Sequence, residues 1–195
     1  MATTMKRLTY DDLESIPQER DGDRHEIIDG ELVVTPSPIP NHQIISVNIE
    51  YELLIHIRER GLGMMLHAPA DIRLKPDNVL IPDIIFIAQN RLHIIGPKTI
   101  DAAPDLVVEI LSPGTRRRDL DTKRSLYARF GVQEYWIVDP DARSVTVLAL
   151  TGDNYETVPL TDEGIIRSRV LPDLNLALAA VFMGITAVDN PSTRR

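Results

Sequence analysis

The feature that most constrains this chain is the stretch 104–131, PDLVVEILSPGTRRRDLDTKRSLYARFG. Its first part, residues 106–111, is short and strongly apolar. Bounded by Pro104 and by Ser112-Pro113-Gly114, such a run reads as a buried strand. A helix is predicted after this breaker, over 119–130, with Gly131 as its C-cap. In the middle of the strand sits Glu109, among Val107, Val108, Ile110 and Leu111. Burying a carboxylate there is costly unless a metal ion, a basic partner or a raised pKa neutralises it. Lys123 falls on the helix's apolar stripe with Leu120, Tyr127 and Phe130. A carboxylate on a core strand and an ammonium on the inward face of the next helix therefore call for a common explanation.

A length of 195 residues suits one domain with a sizeable core. That domain is expected over 1–185, with 186–195 a disordered tail. There are no cysteines, which excludes disulfides, thiolate metal sites and cysteine nucleophiles. The start, MATTMKRLTYDDL, lacks a signal-peptide h-region, and no apolar run has the length of a membrane span. The cytoplasm is the expected location. A formal charge of -8 argues against broad non-specific binding of nucleic acid, while leaving room for a local basic patch.

A short helix is expected over 10–15 with Thr9 as its N-cap, followed by a polar loop at 17–22. HEIIDGELVV places two apolar runs around Asp29-Gly30, a hairpin with a type I′ turn. Residues 42–60 form the clearest helix, stopped by Gly61. Strands are expected at 64–74, interrupted by Pro69, and at 79–88, which contains Pro82. Residues 89–103 read as a loop with one helical turn. Further strands follow at 134–138 and 144–150, with weaker ones at 155–160 and 165–170. Residues 171–182 read as a short helix or closing segment. Antiparallel strands first, then strand–helix–strand, argue an α/β (α+β) single domain. It has a mixed central sheet, flanking helices and an N-terminal hairpin.

Asp105 lies four residues before Glu109 on the same strand. At about 3.3 Å per residue the two are roughly 13 Å apart, too far to share one metal ion. Asp83 comes from another strand. If 79–88 and 105–111 are neighbours, the carboxylates of Asp83 and Glu109 can converge. Two carboxylates with no histidine or cysteine cluster form a hard oxygen site, suited to Mg²⁺ or Mn²⁺. A lysine alongside can orient a water or neutralise an oxyanion, and metal plus lysine fits phosphodiester hydrolysis. Arg116, Arg117 and Arg118, with Arg124 and Arg129, make the basic cluster of the chain, suited to phosphate contact. Tyr135, Trp136 and Ile137 read as core.

Pro82-Asp83, Glu109-Ile110-Leu111 and Lys123 in TKRSLYA together resemble the PD-(D/E)XK nuclease superfamily. Within it the chain is similar to the Uma-two family of restriction endonucleases, from about Tyr10 to Phe182. The similarity rests on IIDGELVV, the PSP turn before His42, IPDIIFI, APDLVVEILSP, DTKRSLYARFGVQEYWIVDP and LPDLNLAL. It implies a restriction-endonuclease-like core and a metal-dependent endonuclease acting on DNA, with Mg²⁺ or Mn²⁺ as cofactor. Asp83 and Glu109 are then metal ligands, and the Ile110 carbonyl a backbone ligand. Leu111 stands where the superfamily places its lysine, and the resemblance moves that role to Lys123. Glu31 is implied as a further acidic member of the site and His42 as a further contact. By analogy with nucleases that cut two strands, a homodimer is expected. Leu111 and the acidic balance motivate an alternative: a non-catalytic module that binds nucleic acid or protein on the same fold. A second alternative is a metal-dependent hydrolase of a small phosphoester.

Overall fold

A computed structural model describes residues 6–13, 15–16 and 23–185. The loop expected at 17–22 and the tail expected at 186–195 lie outside the described residues. Thr9 opens a four-residue helix, α1 (Tyr10–Leu13), where its backbone N–H and its hydroxyl both donate to Asp12 Oδ2. The hairpin forms as read, from β1 (Arg24–Ile28) and β2 (Glu31–Thr35). Asp29 and Gly30 have φ of 46° and 84°, the two positive values that a type I′ turn requires. Helix α2 (Pro40–Arg60) begins two residues before the expected start, because Pro40 occupies its first position, where no N–H is needed. Gly61, at φ 61°, caps it.

Both strands expected across a proline are divided. Residues 64–74 become β3 (Gly63–His67) and β4 (Ile72–Lys75), and 79–88 become β5 (Asn78–Leu80) and β6 (Ile84–Ala88). The halves belong to different sheets. The four-stranded sheet has the order β2-β1-β5-β4. Pro82 cannot donate to a ladder, so the chain leaves that sheet at residues 81–83 and enters the next one at Ile84. A 3₁₀ turn, Gln89–Ile94, follows as the expected single helical turn. Next come β7 (Leu106–Ile110), a π-helical stretch Arg118–Lys123 running into α3 (Arg124–Phe130), and β8 (Glu134–Asp139). The parallel pairing of β7 with β8 makes the strand–helix–strand unit a crossover. β9 (Ser144–Thr151) and β10 (Asn154–Val158) complete a six-stranded mixed sheet, in the order β10-β9-β8-β7-β6-β3.

The strand expected at 165–170 shortens to β11 (Ile165–Ile166), paired with β12 (Leu176–Ala177). Its second half is diverted because Ser168 Oγ accepts from the N–H groups of Val170 and Leu171, a local turn that competes with the ladder. The short helix α4 (Leu178–Val181) closes the described chain.

The six-stranded sheet is buried on both faces, which is why β7 reads as an apolar run broken by Glu109 alone. Ile84, Phe86, Val108 and Trp136 pack against the α2 residues Ile45, Ile49, Leu53 and Ile57. Ile85, Ile87, Val107 and Tyr135 pack the other way, with Leu126 and Tyr127 of α3 and with Ile72 and Leu80 of the four-stranded sheet.

Glu134, fully buried on β8, accepts from the Trp136 indole N–H at 2.7 Å and from the Arg169 N–H at 2.6 Å. Burial raises its pKa, against those hydrogen bonds, so the folded chain holds this proton more tightly than the unfolded one. The group's contribution to stability therefore falls as pH rises from the ordinary glutamate value of about 4.3 through the raised folded value. Glu134→Gln lacks that slope but presents an amide to one of the two donors. Its deficit against wild type in urea unfolding is expected to be largest near pH 4 (about) and to shrink as pH rises.

Candidate active site

Strands β6 and β7 pair antiparallel with Ile84 opposite Val108, and one step further along that register Asp83 stands opposite Glu109. The strands that carry these two carboxylates are thus neighbours, and both residues line one cavity. Asp83 sits where the chain passes between sheets and is 3% exposed. Its Oδ1 accepts from Arg24 Nη1 at 2.6 Å; its Oδ2 accepts from the Ile110 N–H at 2.7 Å and meets His42 Nε2 at 3.2 Å. Burial would raise its pKa, but His42, Arg24 and the Ile110 N–H outweigh burial and hold it low.

Glu109 is equally buried, at 3% exposed. Its Oε1 accepts from Lys123 Nζ at 2.9 Å and from the Tyr127 hydroxyl at 2.7 Å. Burial pushes its pKa well up; Asp119, Asp83 and Glu26 push the same way, and Lys123 opposes them. Lys123 Nζ also lies 2.8 Å from Glu26 Oε1 and 3.8 Å from Asp119 Oδ1. Burial alone would strip the ammonium of its proton, but Glu109, Glu26 and Asp119 together keep it charged. Of the three ways to neutralise Glu109, the fold uses a basic partner and a raised pKa together.

The helix reaches this arrangement through its π-helical stretch. The i→i+5 turns place Asp119 and Lys123 on the buried side, in line with Leu126 and Tyr127. Leu120 and Phe130, expected on that stripe, lie half-buried at its margin. Lys123 is where the stripe predicted it, although two of its three expected neighbours are not.

Four members of the cluster were not singled out in the sequence. Glu26 and Arg24 alternate along β1 on one face, and Glu26 Oε1 also takes the Ile81 N–H at 2.8 Å. Glu26 carries the same signal as Glu109, a carboxylate inside an apolar run. Asp119 has a buried Oδ1 with no hydrogen-bond partner, and burial raises its pKa. Tyr127, read as core, points its hydroxyl into the cluster. Glu31, by contrast, is exposed at the turn end of β2 and does not line the cavity; the hairpin contributes Glu26 instead. The arginine run divides. Arg116 pairs with Asp139 at 2.6 Å, Arg117 is exposed away from the cavity, and Arg118 lines it, donating to Thr35 Oγ1 at 3.1 Å. Arg129 pairs with Asp29. Leu111 lines the cavity too, its N–H donated to the Val138 carbonyl.

These groups form the floor of a cavity of about 580 Å³, walled by the loops at 34–39, 112–115 and 140–143. Among the described residues, no three histidine, aspartate or glutamate side chains already form a metal site. The chemistry of the donors nevertheless fits a hard cation. Glu26, Asp83, Glu109 and Asp119 line one cavity, all offer oxygen, and Asp119 Oδ1 accepts no hydrogen bond. Arg24 and Lys123 now stand as the counter-charges of Asp83 and Glu109, so a cation there competes with them.

A mixed six-stranded sheet flanked by helices, with a buried carboxylate–lysine cluster at the junction of two sheets, defines a mixed α+β protein. The family described as "Uma2: Putative restriction endonuclease" matches residues 9–179, and the chain belongs to that family. The fold is shared with a crystal structure from Anabaena variabilis described as a "putative nuclease belonging to DUF820". That structure has a TM-score of 0.70 and 21% identity, covering 90% of this chain and 97% of the other. An uncharacterized protein of Synechocystis sp. is 24% identical over 140 residues, 70% of this chain and 77% of that protein. Among the described residues, no helix is long and apolar enough to cross a membrane.

Proposed function

We propose that the protein is a metal-dependent endonuclease hydrolysing phosphodiester bonds in DNA. The observation that carries this is the delivery of Lys123 from the crossover helix onto Glu109, 2.9 Å away, with Asp83 opposite at the floor of the same cavity. Membership of a restriction-endonuclease family and a nuclease-like fold support it. Asp83 and Glu109, with the Ile110 carbonyl, would hold Mg²⁺ or Mn²⁺. Bound there, the cation supplies charge neutralisation at the phosphate and a water of lowered pKa. The protein's own groups do the rest. Lys123 keeps its proton and presents an ammonium to a non-bridging phosphate oxygen. His42 holds Asp83 in place through Nε2. Arg118 orients the incoming phosphate from the cavity wall.

The test is a nicking assay on single-stranded circular DNA beside supercoiled plasmid, in Mg²⁺, in Mn²⁺ and in EDTA. Nicking is expected in either metal and not in EDTA; equal nicking in EDTA would remove the metal from the reaction. Within the arginine run, Arg118→Ala is expected to raise KM several-fold. Arg116→Ala is expected to leave KM unchanged, since its guanidinium is committed to Asp139. Equal effects of the two substitutions on KM would show that the run acts as one diffuse patch. A second proposal, a binding module without turnover, draws on Asp83 being fully engaged by Arg24, His42 and the Ile110 N–H. It expects DNA to be bound and left intact in every metal.

A further inference from the structure

Resting on that nuclease proposal, we infer that the cavity takes an unpaired nucleotide segment, in a single strand, a flap or an extruded position, and not a continuous duplex. The first ground is depth. Asp83, Glu109 and Lys123 are each 3% exposed and Asp119 is 1% exposed, all beneath the surrounding loops. In a duplex each phosphodiester lies on the outer rim of a wide, stiff rod, so it reaches only groups near a protein's surface. A volume of about 580 Å³ is instead that of a small-molecule site, enough for a nucleotide with its flanking phosphates.

The second ground is the wall. Val34, Pro36, Pro38, Ile39, Pro113 and Pro140 line it, with Val34 47% and Ile39 55% exposed. Positioning on a duplex backbone calls for hydrogen-bond donors. Apolar surfaces exposed at the mouth of the cavity suit the face of a base that has left its stack.

Charge supplies the third ground. A protein that grips duplex DNA neutralises about 6–10 phosphates with lysine and arginine. Five of the described arginines are committed internally: Arg24 to Asp83, Arg116 to Asp139, Arg129 to Asp29, Arg73 to Asp101 and Arg91 to Asp105. Among the described residues, the lysines and arginines lining the cavity besides Arg24 and Lys123 are Arg118 and Arg143, on a chain of net charge -8. Two cations match the phosphates of one unpaired nucleotide and fall short of a duplex footprint.

The experiment uses one labelled DNA sequence as a single strand, as a blunt duplex and as a duplex with an unpaired flap. Binding is read by fluorescence anisotropy with wild type in EDTA and with Glu109→Gln, so that misfolding of the variant does not decide the result. Cleavage is read with wild type in Mn²⁺. Single strand and flap are expected to be bound and cut at least about tenfold better than the blunt duplex, because extruding a paired nucleotide costs stacking and pairing energy. The cuts are expected inside the unpaired segment. A blunt duplex bound and cut as well as the single strand overturns the inference and leaves the nuclease proposal standing. Turnover of a dinucleoside monophosphate, with every oligonucleotide left intact and unbound, overturns it in favour of a small phosphoester. If nothing is cut in any metal, the nuclease proposal fails. Selective binding of the single strand then still supports an unpaired occupant, and equal or absent binding overturns it.

Discussion

Glu109→Gln is expected to lower metal-dependent cleavage by on the order of 10²–10³-fold while leaving the fold intact. The amide keeps the shape of the carboxylate, and its oxygen can still accept from the Tyr127 hydroxyl, now at 2.7 Å. What disappears is the negative charge that faces Lys123 and would hold a cation. That charge is one the folded protein resists: burial and three neighbouring carboxylates push its pKa well up. Removing it relieves the cluster, since Glu26 and Asp119 still surround the ammonium. The urea midpoint is therefore expected to stay put or rise while kcat collapses. Affinity for an unpaired oligonucleotide should change little, because walls and arginines provide it. Full cleavage by the variant, with contaminating nuclease excluded, would take Glu109 out of the chemistry. A collapse of stability in parallel with activity would make it a structural carboxylate instead.

Much of this site was legible in the sequence because its members break local patterns. Glu109 interrupts an apolar strand and Lys123 interrupts an apolar helix face, and both anomalies can be seen within a few residues. The hairpin and α2 were legible for the same reason: their turn and cap residues act locally. The pairing of strands is a long-range matter. Nothing within residues 79–88 says that the segment before Pro82 joins one sheet and the segment after it another. The place of Asp83, at that junction, was therefore visible only as one carboxylate on a presumed neighbour strand. Glu26 was missed because a carboxylate in a two-stranded hairpin normally faces water. It is buried only because β1 pairs with β5 and its outer face meets the crossover helix through Lys123. Glu31, five residues on, rested on the family resemblance alone; it stands exposed at the turn end of β2 and does not line the cavity. The arginine run looked uniform because a charge list carries no partners; Asp139, at the end of β8, singles out Arg116.

Lys123→Met is expected to cost about 3–5 kcal/mol of folding stability, the usual loss when one partner of a buried ion pair is removed. The side chain is 3% exposed, and its ammonium stands 2.8 Å from Glu26, 2.9 Å from Glu109 and 3.8 Å from Asp119. Methionine fills much of the same volume, so the loss comes from charge and not from a cavity. Three carboxylates are left buried with no counter-charge, and the folded pKa values of Glu109 and Asp119, already raised by burial, rise further above the unfolded ones. The folded variant then binds protons that the unfolded chain releases. Its stability consequently falls as pH rises through that window, and the deficit against wild type is smallest in acid. Urea unfolding at about pH 5 and about pH 8 reads this directly. Adding Glu109→Gln to Lys123→Met is expected to restore at least about 1 kcal/mol, since one stranded charge is gone and neighbouring groups do not act additively. Lys123→Arg should not rescue the fold, because a planar guanidinium needs a wider space than a point charge among three carboxylates. A Lys123→Met protein as stable as wild type at both pH values would mean that these carboxylates are neutral in the native state. The ammonium would then be free to serve a substrate phosphate without first leaving an ion pair.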